Sequence, residues 1–215
     1  VNIIVEKYQE MNGFFTEKCS STMDMAWHLV EAGRLPPWTW LRAEMQTKGR
    51  GQLGREWISD KGNLMVSLRL GDEMEKLGTF LSQAIALCIV RALEPLGISP
   101  MIKWPNDIML AYEKLGGILI EQRKEKIIAG IGLNISSAPD ININTNSFVI
   151  HVTSLKKYNI NIRASELWRL LVQNMQSNLE EMIVNPQKAA KALESLLVFK
   201  EDWGLRSRIL RNSAL

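Results

Sequence analysis

Between Met101 and Ile135, four short apolar segments follow one another with connections of only two to four residues, and this constrains the fold more than any other feature of the chain. Residues 101–104, 107–110, 115–121 and 126–135 read as strands, separated by Pro105-Asn106, Tyr112-Glu113-Lys114 and Gln122-Arg123-Lys124-Glu125. A parallel crossover needs about a dozen residues or more, so these strands must lie antiparallel to their neighbours. Around them helical and strand patterns alternate. Ser21-Thr22-Met23-Asp24 reads as a capping box, with Ser21 as N-cap and Asp24 reaching back. The helix it opens runs to about Ala32 and stops at Gly33. Residues 38–45 and 63–70 read as strands, and 75–94 as one mostly buried helix, apolar at Leu77, Phe80, Leu81, Ala84, Ile85, Cys88 and Leu93. The Asn-rich stretch 136–161 reads as a long loop, followed by helices over 164–183 and 186–197, with Pro186 in the first turn. The expected fold class is α+β, a mixed and largely antiparallel sheet flanked by helices.

Composition narrows the function classes. At 215 residues, 46% hydrophobic and 23% charged, the chain can form one generous domain without a disulfide or metal staple. Cys19 and Cys88 stand far apart, in no ligand-like spacing, which excludes a structural zinc site and points to a reducing, cytoplasmic setting. A net charge of +3 mildly favours an anionic ligand and argues against a nucleic-acid partner. The longest purely apolar run, residues 84–90, falls well short of the ~20 residues that cross a bilayer. Glu6 and Lys7 come too early for a secretory signal, so neither membrane nor secretion is expected.

Gly49-Arg50-Gly51-Gln52-Leu53-Gly54-Arg55 matches the dinucleotide-binding spacing G-x-G-x-x-G, and Asp72 lies near the distance of the acidic residue that motif requires. The residues that should form the intervening helix, 55–63, are too few and too turn-rich, so the Rossmann reading fails. Two readings stay open: a solvated surface hairpin, or a loop whose backbone N–H groups face an anion, helped by Lys48, Arg50 and Arg55. Two further clusters favour the second. Lys103-Trp104-Pro105-Asn106-Asp107 gathers a cation, an aromatic, an amide and a carboxylate at one turn. Lys114, followed by Gly116-Gly117, can project its ammonium over a ligand lying on bare backbone. Ala129-Gly130-Ile131-Gly132-Leu133-Asn134 adds a strand of small residues ending in an amide.

These segments resemble, in order and spacing, the motifs of biotin–protein ligases: Gly49-Arg50-Gly51 with Gly54-Arg55 and Trp57, Lys103 to Asp107, Lys114-Leu115 with Gly117-Ile118-Leu119, and Gly130 with Gly132-Leu133-Asn134. Ser21-Thr22 and Gln46 fit the pattern, and Thr153-Ser154-Leu155 is similar to the family's Thr-Ser-Leu stretch. The resemblance implies a class II aminoacyl-tRNA synthetase-like catalytic domain over residues 1–200. It implies an ATP-dependent ligase that, with Mg²⁺, makes biotinoyl-AMP and pyrophosphate, then passes biotin to a lysine of a biotin carboxyl carrier domain of acetyl-CoA carboxylase or a related carboxylase. Two anions must meet in the first step, so cations must offset their repulsion. By resemblance Lys114 takes that task, Arg50 and Arg55 close over the intermediate, and Asp107 holds Mg²⁺ or the nucleotide, with no tightly bound metal expected. Ser21, Thr22, Gln46, Gly49, Arg50, Lys114, Gly117, Leu119 and Gly130 would line the biotin pocket. Gln52, Arg55, Trp57, Asn106, Asp107, Lys114 and Asn134 would serve the nucleotide, Trp57 by stacking on adenine. Trp104 reads as a packing residue of the site wall.

The sequence departs from the family pattern at Gln52, where the loop usually carries Arg, so retention of the adenylate is expected to be weaker. No N-terminal helix-turn-helix is expected, and residues 201–215 read as a remnant of the small β-barrel domain that family members usually carry. Three rival readings stand beside the ligase: a lipoate or octanoate ligase or transferase on the same fold, a non-catalytic biotin or nucleotide sensor, and, weakest, a DNA-binding module. An exposed strand edge could pair two copies into a homodimer.

Overall fold

The computed structural model describes residues 2–8, 11–58, 60–144 and 149–198. The C-terminal stretch read as a domain remnant lies outside them. Eight strands form one sheet: β1 (Ile4–Tyr8), β2 (Met11–Cys19), β3 (Trp40–Gln46), β4 (Leu64–Arg69), β5 (Pro100–Lys103), β6 (Asp107–Leu110), β7 (Glu113–Arg123) and β8 (Lys126–Leu133). Their order is β1-β2-β3-β4-β8-β7-β6-β5. The successive strands from β5 to β8 pair antiparallel, as their short connections require. The parallel pair is β2 with β3, and α1 (Thr22–Glu31) makes the crossover between them. The expected α+β class, mixed and largely antiparallel, is the observed one.

Period-two alternation sorts the strands onto two faces. On β8, Ile127, Ala129, Ile131 and Leu133 pack into the larger core with Leu64, Val66 and Leu68 of β4. That core is closed by α2 (Leu81–Leu93), α3 (Ala164–Val172), α4 (Met175–Val184) and α5 (Pro186–Glu194). On the other face Ile128 and Leu41 meet Met23, Ala26, Trp27 and Val30 of α1. The next two residues of β8 on that second face are Gly130 and Gly132, so beyond α1 the sheet presents bare backbone.

Several boundaries differ from the sequence reading. The helix expected over 75–94 is divided: residues 72–80 form 3-10 turns, Gly78 adopts φ 50°, and the α-helix starts at Leu81. The stretch Asp72–Leu96 is long and apolar enough to cross a membrane by composition, but two thirds of its most apolar window is buried inside the domain, where it serves as the core helix. The helix expected over 164–183 breaks at Gln173-Asn174 into α3 and α4, while Pro186 does open α5. The long loop holds a small antiparallel ribbon, β9 (Asn142–Asn144) with β10 (Val149–His151). Of the capping box only half forms: the Ser21 hydroxyl accepts from the Asp24 N–H, whereas the Asp24 carboxylate turns to Arg50. Gly33 follows the helix with φ 69°, as a C-terminal cap requires.

Candidate active site

On the bare face of the sheet lies a cavity of about 820 Å³, within the range of small-molecule sites. Every expected site residue except Gly49 lines it. Gly49 acts one step back, its carbonyl accepting from the Trp57 N–H at 2.9 Å.

A register irregularity aims the principal cation. Asp107 pairs with Gly117 and Ile108 with Gly116, but Met109 pairs with Lys114, so Leu115 is left over as a bulge. Strict alternation would place Lys114 and Gly117, three apart, on opposite faces; the bulge returns them to one face. A Cβ on Gly117 would lie 3.7 Å from both the Lys114 ammonium and the Asp107 carboxylate, which shows how the three converge. Lys114 Nζ stands 2.6 Å from Asp107 Oδ1, and Lys103 Nζ stands 3.3 Å from Oδ2. Asp107 therefore sits between two ammonium groups with each oxygen engaged, and the trio carries a net positive charge. The Thr153-Ser154-Leu155 stretch supports this arrangement from behind. The Thr153 N–H donates to the Lys114 carbonyl at 2.9 Å, and the Leu155 N–H donates to the Asn134 carbonyl at 3.0 Å.

The expectation that Asp107 helps hold magnesium fits poorly with this geometry, because both of its oxygens already face lysines. Among the described residues no group of three or more His, Cys, Asp or Glu comes together to hold a metal ion.

Two amides expected to reach ligands are engaged in structure. Asn106 Nδ2 donates to the Ile118 carbonyl at 2.8 Å and fastens the β5–β6 turn onto β7. Asn134 Nδ2 donates to the Thr153 carbonyl at 3.1 Å. The floor beside α1 is a chain of polar groups: Ser67 Oγ donates to Thr22 Oγ1 at 2.9 Å, and Thr22 donates from both its N–H and hydroxyl to Gln46 Oε1 at 2.7 and 3.0 Å.

The glycine loop follows the hairpin reading, placed at the edge of the cavity. It is a stitched hairpin: the Gly51 N–H donates to the Arg55 carbonyl at 2.7 Å, and Arg50 bridges Glu56. It also forms one wall of the cavity. The Gly51 N–H is thus engaged internally and does not face an anion. Arg50 departs furthest from expectation. Its guanidinium donates to Glu121 Oε1 from Nε at 3.2 Å and from Nη2 at 2.7 Å, and Nη1 donates to Asp24. Burial alone would lower its pKa; the hydrogen bonds and charges of Glu121 and Asp24 outweigh that and raise it. Held by two carboxylates, Arg50 fastens the loop stem to α1 and β7, and it supplies no spare positive charge to an intermediate. Sequence reasoning did not find Asp24 or Glu121 in this role, since the contacts span 26 and 71 residues. Arg55 is exposed on the same loop.

Trp57 lies against Gly132, where a Cβ would come within 2.5 Å of the indole. Gly132 is therefore required by the close approach of the ring, which forms a broad apolar wall of the cavity. Trp104, expected in the site wall, instead stands 57% exposed outside the cavity.

The biotin/lipoate A/B protein ligase family model matches residues 15–136, more than half of the chain. The chain belongs to this family. Within the family, the bifunctional ligase/repressor BirA of Bacillus subtilis is 36% identical over 129 residues, covering 56% of this chain and 39% of its own length. The biotin–(acetyl-CoA-carboxylase) ligase of Mycobacterium tuberculosis is 36% identical over 107 residues, covering 46% of this chain and 40% of its own. The chain thus spans about two fifths of the length of these relatives. Among solved structures, the biotin protein ligase of Aquifex aeolicus in complex with biotin and ATP aligns with a TM-score of 0.75 at 27% identity, over 87% of this chain and 78% of that one. The fold observed here is that of this family's solved structure.

Proposed function

We propose that this chain is the catalytic domain of a biotin–protein ligase, which activates biotin with ATP as biotinoyl-AMP and passes it to a lysine of a biotin carboxyl carrier domain. The observation that carries the reading is the convergence of Lys114, Asp107 and Lys103 on bare strand backbone. This net positive cluster at the centre of the cavity suits the meeting of two anions. In the first step a biotin carboxylate oxygen bonds to the α-phosphorus of ATP as the bond to pyrophosphate breaks. Magnesium bound with the nucleotide would offset phosphate charge. Lys114, held in place by Asp107 and the bulge, offsets the repulsion between carboxylate and α-phosphate. Trp57 over Gly132 offers the flat apolar surface that an adenine ring requires, and the Thr22–Gln46–Ser67 floor offers polar groups to the other end of the acid. In the second step the deprotonated carrier amine bonds to the acyl carbon, the anhydride C–O bond breaks, AMP leaves, and the nitrogen releases a proton as the amide forms.

The cluster does not by itself distinguish biotin from lipoate or octanoate; the biotin-ligase names of the relatives favour biotin. The experiment is exchange of labelled pyrophosphate into ATP with each acid in turn. Biotin-dependent exchange supports the proposal, exchange with only lipoate or octanoate reassigns the substrate, and no exchange with any acid leaves a non-catalytic sensor. We further propose a cytoplasmic enzyme, since both buried thiols are free and a reducing compartment suits them.

A further inference from the structure

The turn between β5 and β6 contains only residues 104–106, and three of its neighbouring groups are tied inward. Lys103 Nζ meets Asp107, the Pro105 carbonyl accepts from the buried Gln83 amide, and Asn106 is bonded to Ile118 through both its side chain and its carbonyl. Lys103, Pro105, Asn106 and Asp107 all line the cavity. Trp104 is not among the lining residues and is 57% exposed. A turn fixed on both sides of it thus holds a large aromatic in solvent, one residue from the cavity in either direction. The cavity lining itself exposes apolar side chains: Leu53, Ile58 and Ile141 are 93%, 39% and 45% exposed. A single exposed hydrophobe needs no explanation, but an apolar rim around a reaction cavity marks a surface that something covers.

We propose that Trp104 is the docking anchor for the carrier domain whose lysine accepts the acyl group. The inference rests on the function proposed above. The acceptor amine belongs to a folded partner and has to enter from outside, so the partner's surface around that lysine must lie over the rim. An exposed Trp on a fixed turn, between two cavity-lining residues, has properties of an interface hot spot: large contact area and few rotatable bonds. Trp104 does not line the cavity, so its role is confined to the second half-reaction. It positions the carrier and leaves adenylation alone.

The test compares wild type with Trp104→Ala and Trp104→Phe in two assays on the full chain. The first is biotin-dependent pyrophosphate exchange. The second is the initial rate of biotin transfer to a purified, unbiotinylated carrier domain as its concentration is varied. The expected result is exchange kinetics within about twofold of wild type for both variants, a carrier KM raised roughly tenfold or more by Trp104→Ala with little change in kcat, and recovery of most of that loss by Phe. An unchanged carrier KM in Trp104→Ala overturns the proposal. So does a raised KM for ATP or biotin in exchange, which would put Trp104 in the cavity, or a loss of exchange with loss of fold, which would make it structural. Absence of biotin-dependent exchange in the wild type is a distinct result: it removes the ligase reading, and the docking proposal with it.

Discussion

Replacing Asp107 with Asn keeps the shape of the site and deletes the negative charge held between the Lys114 and Lys103 ammonium groups. The side chains of Asp107, Lys114 and Lys103 are 11%, 19% and 23% exposed, so water screens the trio only partly. Removing one member of a fully buried ion pair costs about 3–5 kcal/mol, and exposed pairs contribute about 1 kcal/mol or less. With contacts of 2.6 and 3.3 Å and this degree of burial, a loss of about 2–3 kcal/mol is expected. For a domain of this size that corresponds to roughly 5–10 °C in melting temperature. The catalytic loss should be larger in relative terms, because Lys114 keeps its charge but loses the negative charge that aims it; about 10²-fold in kcat is expected for a misplacement on the order of 1 Å. Thermal unfolding by circular dichroism and pyrophosphate exchange measure the two effects on one preparation. A parallel Lys103→Met variant removes only the longer contact and should cost about 1 kcal/mol. If Asp107→Asn melts within about 1 °C of wild type and exchanges at the wild-type rate, the carboxylate does not position Lys114 and the reasoning fails.

Three further outcomes are expected. In Gly132→Ala the new methyl must push the Trp57 indole from 2.5 Å to at least 3.4 Å, a shift of about 0.9 Å (3.4 − 2.5), which should raise the KM for ATP about tenfold or more while sparing that for biotin; equal effects on both substrates would contradict the placement of adenine on Trp57. Gln52→Arg adds a cation to the loop and should slow dissociation of the adenylate, measured by release of labelled biotinoyl-AMP; equal rates in the two proteins would show that residue 52 has no part in retention. Burial raises the Cys19 thiol to about 11, with Asp24 adding to the effect, and the Cys88 thiol to about 12. Because the folded-state values are raised, their contribution to stability is complete below the ordinary thiol value of 9.0 and is lost as pH climbs from there towards 11–12. Both thiols should be silent to a disulfide reagent at pH 8 in the native protein and react on unfolding, and resistance to urea should fall between pH 9 and 11, less so in Cys88→Ala. Rapid labelling of the native protein would refute this.

Much of the fold was legible because it follows from local rules. The four strands from β5 to β8 declared themselves through apolar runs and turn residues, and their short connections dictated antiparallel pairing. The β1–β2 hairpin went unseen: Ile4–Tyr8 lies at the sheet edge, and its mixed polar and apolar residues carry no clean period. Helix breaks at Gly78 and Asn174 were also hidden, since the apolar spacing continues across both and only tertiary packing decides that the backbone turns there. In the site the residue types were legible and the partnerships were not. Glycines on one face of β8 could be read as room for a ligand, but the unpaired Leu115 that aims Lys114 is a register property, set by pairing with β6. Likewise Arg50 carries a charge that any sequence reading would count, and only the fold reveals that Glu121 and Asp24 already hold it.

The central claim is that Lys114, held on bare backbone by Asp107, brings a carboxylate to the α-phosphate of ATP. The most direct measurement is the rate of biotin-dependent pyrophosphate exchange in wild type and in Lys114→Ala, with circular dichroism confirming that the variant is folded. The account predicts exchange in the wild type and a loss of about 10²-fold or more in the variant. Exchange by Lys114→Ala at the wild-type rate would contradict it.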